Sequence, residues 1–227
     1  MLVQPVAALA FVIYLFVVLP WLAVKSVHQL RRAGEGAAAL PPQEVIWIHT
    51  IISQLAMLLL AWVVAFVIDY PLFHIAPLDA WDFAAGAAAL AGYFVLRALS
   101  YATRTEEERR KLLVYAIAPQ TRWQFALYSL TVVVASVAEE AAYRGVGMAI
   151  LRDWLGNGVV AAAILSLAFA LAHAPQGGKS MLVIIPMALV MHVLVWVTGT
   201  LAIAIVVHAL YDFVAGYQIS REARTLT

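Results

Sequence analysis

Long apolar runs separated by short polar connections fill this sequence, and that pattern constrains the fold more than any other feature. Runs of roughly twenty apolar residues occupy about 5–24, 45–68, 78–98, 121–155, 158–175, 180–198 and 200–219. A helix needs about 20 such residues to cross the hydrocarbon of a bilayer. The chain is 65% hydrophobic and 12% charged, with a mean hydropathy of +0.92. A soluble domain of this size needs more polar surface than that. The expected fold class is all-α, a polytopic transmembrane helical bundle of about seven spans. A net charge of +1 argues against a nucleic-acid partner, and the lack of cysteine removes disulfides, zinc–thiolate sites and thiol nucleophiles.

The first run has no basic start and no small-residue cleavage site, and it exceeds the about 7–15 residues of a signal-peptide core, so it reads as a retained span. The third begins with Asp79 and Asp82. The fourth would reach ~50 Å as one helix, so it is expected to protrude, bend or break, with Gly145 and Gly147 as bend points. Residues 1–112 then hold three spans and a polar loop, and residues 113–227 a helical core. The longest polar connection, Ser100 to Arg110, reads as a solvated loop, and no internal repeat is visible.

Loop charge predicts the orientation. With seven spans, Lys25, Arg31, Arg32, Arg97, Arg104, Arg109, Arg110, Lys111, Arg122, Lys179, Arg221 and Arg224 all fall on one side, leaving only Arg144 and Arg152 elsewhere. The positive-inside bias makes that side cytoplasmic, with the N-terminus outside and the C-terminus inside.

Of 13 acidic residues, only Glu139, Glu140 and Asp212 lie well within apolar runs. A carboxylate at the bilayer centre costs at least ~2.5–3.5 kcal/mol, and the default reason to retain one is a site. Glu140 and Arg144 are spaced i, i+4 with the acid first, which favours an ion pair within the helix. Adjacent helix residues point about 100° apart, so Glu139 faces elsewhere and is surplus to that pair. His208 and Asp212 are again i, i+4 and share a face, where the carboxylate can orient the imidazole. His173 closes the fifth run, four residues after Phe169, whereas His28, His49, His74 and His192 read as ordinary loop or core histidines.

These groups can meet. Gly156-Asn157-Gly158 is a strong helix stop between the fourth and fifth runs. Counted from Asn157, Glu139 lies 18 residues back and His173 16 forward, or ~27 and ~24 Å in an antiparallel hairpin. Asp212 precedes Arg221 by nine residues, which sets it in the same half of the bilayer if the three helices touch.

EExxxR (Glu139, Glu140, Arg144), FxxxH (Phe169, His173) and HxxxD (His208, Asp212), in that order inside apolar runs, resemble the three motifs of the CPBP intramembrane proteases. That family includes the type II CAAX prenyl endopeptidases and bacterial bacteriocin-processing or self-immunity proteins, also called the ABI family. The resemblance covers about residues 121–216. It implies that Glu139 is the general base that activates a water, that His173 helps hold that water, and that His208 and the residue at 212 stabilise the oxyanion. Glu140 and Arg144 would support the helices. It also implies a peptide or protein substrate at the membrane, and an integral protein of a bacterial inner (plasma) membrane.

One position departs from the family, where the third motif commonly ends in Asn rather than Asp212. An ionised aspartate repels an oxyanion, so Asp212 is protonated, orients His208 or binds a metal. Glu139, His173, His208 and Asp212 are donors suited to Zn2+ with an open position, but HExxH is absent, which tips the balance toward metal-free catalysis. The expected function is an intramembrane endopeptidase acting near the cytoplasmic face, of CAAX type or processing bacteriocins and other peptides. The alternatives are a proton-coupled transporter, since buried Glu, His and Asp also make proton relays, and a non-catalytic bacteriocin self-immunity protein.

Overall fold

The computed structural model describes residues 3–34, 41–74, 76–110 and 117–226; the side chains of residues 27, 29–34, 109, 110, 225 and 226 are outside the description. Lys111 of the charge argument therefore lies outside the described residues, as do the side chains of Arg31, Arg32, Arg109 and Arg110. The described chain is helical, with no strand among those residues. Helix α1 (Val3–Ile13) continues through a π-helical turn, Tyr14–Val18, into α2 (Leu19–Gly34). Then follow α3 (Gln43–Val67), α4 (Ala80–Ala102), the short α5 (Glu106–Arg110) and α6 (Arg122–Glu139). A π-helical segment, Glu140–Gly147, leads into α7 (Met148–Leu155), after which come α8 (Gly158–Ala172), α9 (Gly178–Thr198) and α10 (Leu201–Leu226).

The expected runs all become helices, but not all reach equally far. Among the described residues six helices are long and apolar enough to cross a membrane, and α8, with 15 residues, is a shorter apolar one. At ~1.5 Å per residue it extends about 22 Å, short of the ~30 Å hydrocarbon core. Its limits are local. Gly156 caps α7 in the left-handed conformation (φ 62°), and Asn157 opens α8 by accepting from the backbone N–H groups of Val159 and Val160. It stops short of Pro175, which has no N–H to give the Leu171 carbonyl and whose ring clashes with that carbonyl in an α-helix, and the chain turns through a 3-10 segment, Ala174–Gln176.

The long fourth run neither breaks nor stays α-helical. The chain from Arg122 to Leu155 is continuous, with eight π-helical residues in its middle. Both glycines expected to bend it lie in that segment, and close approach explains them. A Cβ at Gly145 would meet Leu72 Cδ1 at 2.5 Å, and one at Gly147 would meet the Ala142 carbonyl at 2.8 Å. A π turn shifts the facing of the residues beyond it and is frequent at functional sites.

Neighbouring helices show their relative directions through side-chain contacts. Glu44 and Trp47 of α3 meet Gln124 and Tyr128 of α6, while Gln54 meets Glu139, so these two helices run parallel. Helix α10 lies antiparallel to α6: Tyr128 bonds to Asp212 and Glu140 to His208. Helix α4 runs antiparallel to α9, with Tyr93 bonded to Met187 and Arg104 to Ser180. The first and second halves of the chain share one core, in which Phe11, Leu15, Met57 and Ala61 pack with Ala138, Ala142, Tyr143, Leu165 and Phe169. Apolar side chains such as Phe66, Trp81, Val159 and Leu182 remain outward-facing, as expected of a bundle whose solvent is lipid.

Candidate active site

Glu139 is the last α-helical residue of α6 and Glu140 the first of the π segment, and they serve different neighbours. Glu140 is fully buried, and its Oε1 accepts from Arg144 Nη1 at 3.2 Å, the pair read from the i, i+4 spacing. The same oxygen accepts from His208 Nδ1 of α10 at 2.8 Å. The sequence reading missed this second contact, which makes Glu140 the anchor of a site histidine as well as a helix support. Arg144 also donates to the Ala188 carbonyl at 3.3 Å and lies 4.6 Å over the Phe169 ring. Its charge is thus met by one carboxylate, one carbonyl and one π face.

Glu139 turns the other way, toward a cavity. Its Oε1 accepts from Gln54 Nε2 of α3 at 2.7 Å, a partner the sequence reading did not name. Its Oε2 lies 3.8 Å from His208 Nε2 and 4.0 Å from His173 Nε2. The motif groups read from three separate runs therefore converge, as the hairpin count required.

Both imidazoles are held by their far nitrogens. His173, the C-terminal cap of α8, places Nδ1 2.8 Å from the Phe169 carbonyl. A carbonyl only accepts, so Nδ1 carries the hydrogen and Nε2 of the neutral ring is an acceptor. His208 Nδ1 donates to Glu140, which turns its Nε2 toward Glu139 and Asp212. Phe169 packs against several site residues: its ring centroid is 4.4 Å from His173, 5.0 Å from Tyr143 and 6.4 Å from His208. The phenylalanine of FxxxH thus positions both histidines.

Asp212 Oδ2 is 3.5 Å from His208 Nε2, and its side chain is 37% exposed, so it is far less enclosed than Glu140. Its backbone carbonyl accepts from Tyr128 Oη at 2.6 Å. The hydroxyl end of Tyr128 lies so close to Gly216 that a Cβ there would run into it. His192 is buried but lines neither of the two cavities at the site.

Those cavities meet at Asp212. The larger, about 360 Å³, runs between α3, α4, α6, α9 and α10 and is lined by Gln54, Glu139, Tyr128, Arg97 and Arg104 among others. The smaller, about 100 Å³, holds His173, His208 and Glu140. Gln176, Ile184, Met187, Tyr211 and Asp212 line both. Glu139 faces the larger space, with the imidazoles beyond it.

Among the described residues no group of three or more His, Asp or Glu side chains is arranged to hold a metal ion.

Residues 121–214 match the family model described as "Type II CAAX prenyl endopeptidase Rce1-like". No curated protein and no solved structure matches the chain. The matched stretch contains Glu139, Glu140, Arg144, Phe169, His173, His208 and Asp212, so the segment that builds this site is similar to the type II CAAX prenyl endopeptidase Rce1-like family.

Proposed function

We propose that this protein is an intramembrane endopeptidase in which Glu139 activates a water for attack on a peptide carbonyl. The carrying observation is the placement of Glu139 Oε2 3.8 and 4.0 Å from two imidazole Nε2 atoms whose Nδ1 atoms are engaged elsewhere. Two acceptors at that separation, Glu139 Oε2 and His173 Nε2, suit a water that donates one hydrogen to each. Glu139 takes a proton as the water oxygen attacks. His208, with Nδ1–H on Glu140, directs an Nε2–H at the carbonyl oxygen as it becomes an oxyanion. Collapse of the tetrahedral species breaks the C–N bond, and the proton held by Glu139 passes to the departing amine. Asp212, 3.5 Å from the same ring, orients His208 and does not contact the oxyanion. Glu139 and His208 are largely buried, which strengthens the interactions they make. No step passes through zinc.

The family's name suggests the substrate class, a prenylated peptide ending in a CAAX sequence, and the charge bias of the loops supports its entry at the cytoplasmic face. The test is release of the terminal fragment from a quenched farnesylated CAAX peptide by the full chain in nanodiscs. Glu139→Gln should lower turnover by ~10²–10⁴-fold while the protein stays folded, and EDTA should leave the parent rate unchanged. Parental turnover by Glu139→Gln would refute the assignment. No cleavage by the parent, with proton-coupled flux in sealed liposomes, would favour a transporter.

A further inference from the structure

Helix α3 lies outside the stretch matched by the family, yet it reaches the reacting carboxylate. Near its midpoint it carries Thr50, Ser53 and Gln54. The two hydroxyls are used within the helix: Thr50 donates to the Ile46 carbonyl and Ser53 to the Thr50 carbonyl, each at 2.9 Å. Gln54 instead crosses to α6, with Nε2 2.7 Å from Glu139 Oε1. Its own Oε1 is buried without a hydrogen-bond partner. A side chain there only to pack two apolar helices would not carry such an orphan, which an aliphatic residue avoids.

The bond acts on one particular oxygen. Oε1 of Glu139 is tied to Gln54, and Oε2 is the atom that faces both imidazoles. A terminal carboxylate torsion is broad and soft, so without the tie Glu139 can turn Oε2 out of the space between His173 and His208. Helices α3 and α6 pack along each other, and Glu44 Oε1 accepts from Gln124 Nε2 nearer their N-terminal ends, which fixes the register that brings Gln54 to Glu139.

We infer that Gln54 is a positioning residue for proteolysis: it fixes the rotation of the Glu139 carboxylate so that Oε2 meets the attacking water. This rests on the reading of Glu139 as the base. Gln54 does not bond the substrate in this role, so its loss falls on the chemical step and spares binding.

The test compares Gln54→Met, unbranched and of similar length, with Gln54→Leu, apolar and likewise without the donor, in full-length protein against the quenched farnesylated CAAX peptide. Both should lower kcat by about 10–100-fold with KM within about 2-fold of the parent. A kcat loss under about 3-fold in both overturns the proposal whatever KM does, because a residue that merely lines the cavity changes uniform binding alone. A second measurement needs no substrate. The infrared carboxylate stretch of Glu139, isolated as a difference against Glu139→Gln, should shift when Gln54→Met is introduced, and an unmoved band overturns the proposal. If the parent cleaves nothing, the proteolytic reading fails, while the infrared band still decides whether Gln54 holds Glu139.

Discussion

Glu140 has two tasks that substitution can separate: it balances Arg144, and it holds His208. Glu140 is 0% and Arg144 2% exposed, with a single 3.2 Å contact between their charged atoms. Arg144→Met leaves a buried carboxylate with only His208 against it, and breaking a buried pair from one side costs about 3–5 kcal/mol. The His208 contact at 2.8 Å survives that change, so activity per folded molecule should stay within about tenfold of the parent. Glu140→Leu combined with Arg144→Met removes both charges, and such replacement is often neutral in itself. What remains is the orphaned His208 Nδ1–H, worth about 1–3 kcal/mol. The double variant should therefore be more stable than Arg144→Met, yet lose ~10²–10⁴ in kcat because His208 no longer presents Nε2. Unfolding in mixed micelles, followed by tryptophan fluorescence, gives the stabilities, and peptide cleavage normalised to folded protein gives the activities. Near-parental cleavage by the double variant would refute the claim that Glu140 orients His208. Parental stability in Arg144→Met would refute the claim that the ion pair matters to the fold.

Two further outcomes follow from contacts around the cavity. Gly216→Ala drives a Cβ into the Tyr128 ring and should cost about 1–3 kcal/mol by overpacking; in a Tyr128→Ala background the same change should cost almost nothing, and equal costs in both backgrounds would refute the contact as the cause. At the polar rim, the Lys179 ammonium bonded to Glu108 at 2.8 Å holds that carboxyl below the ordinary glutamate range. A lowered folded pKa contributes stability above the unfolded value of about 4.3 and loses it as pH falls through the folded value. Both side chains are about half exposed and screened. Glu108→Gln should therefore leave Tm essentially unchanged at physiological salt, with any low-salt deficit shrinking as pH falls below the unfolded value and gone below the folded one. A large Tm loss at high salt would contradict this.

What the sequence disclosed and what it hid divide along a physical line. Periodicity and spacing act within one helix, so the Glu140–Arg144 pair, the shared face of His208 and Asp212, and the runs themselves were readable. The turn at Asn157 extended that reach to two helices, because a tight hairpin converts residue counts into depth; Glu139 and His173 do lie side by side. The shortness of α8 was also within reach, since Pro175 stands two residues past His173. The π segment was harder: a bend was expected at Gly145 and Gly147, but which hydrogen-bond register relieves their crowding depends on Leu72 and Leu15 from elsewhere in the chain.

Gln54 and the Glu140–His208 bond mark the other side of that line. Each joins residues 85 or 68 positions apart, through helices whose contact no spacing rule predicts. A lone glutamine in an apolar run shows nothing within its own helix to bond. Yet the energetic argument applied to Glu139 and Glu140 extends to it. An unpaired amide in hydrocarbon costs several kcal/mol, and neither Thr50 nor Ser53 offers Gln54 a partner, because both hydroxyls bond their own helix. A mid-span glutamine without a local partner therefore implies a partner on another helix. In this bundle the amide N–H of Gln54 donates to the surplus carboxylate, and the positioning role of Gln54 would fail if Gln54→Met left the Glu139 carboxylate band and turnover unchanged.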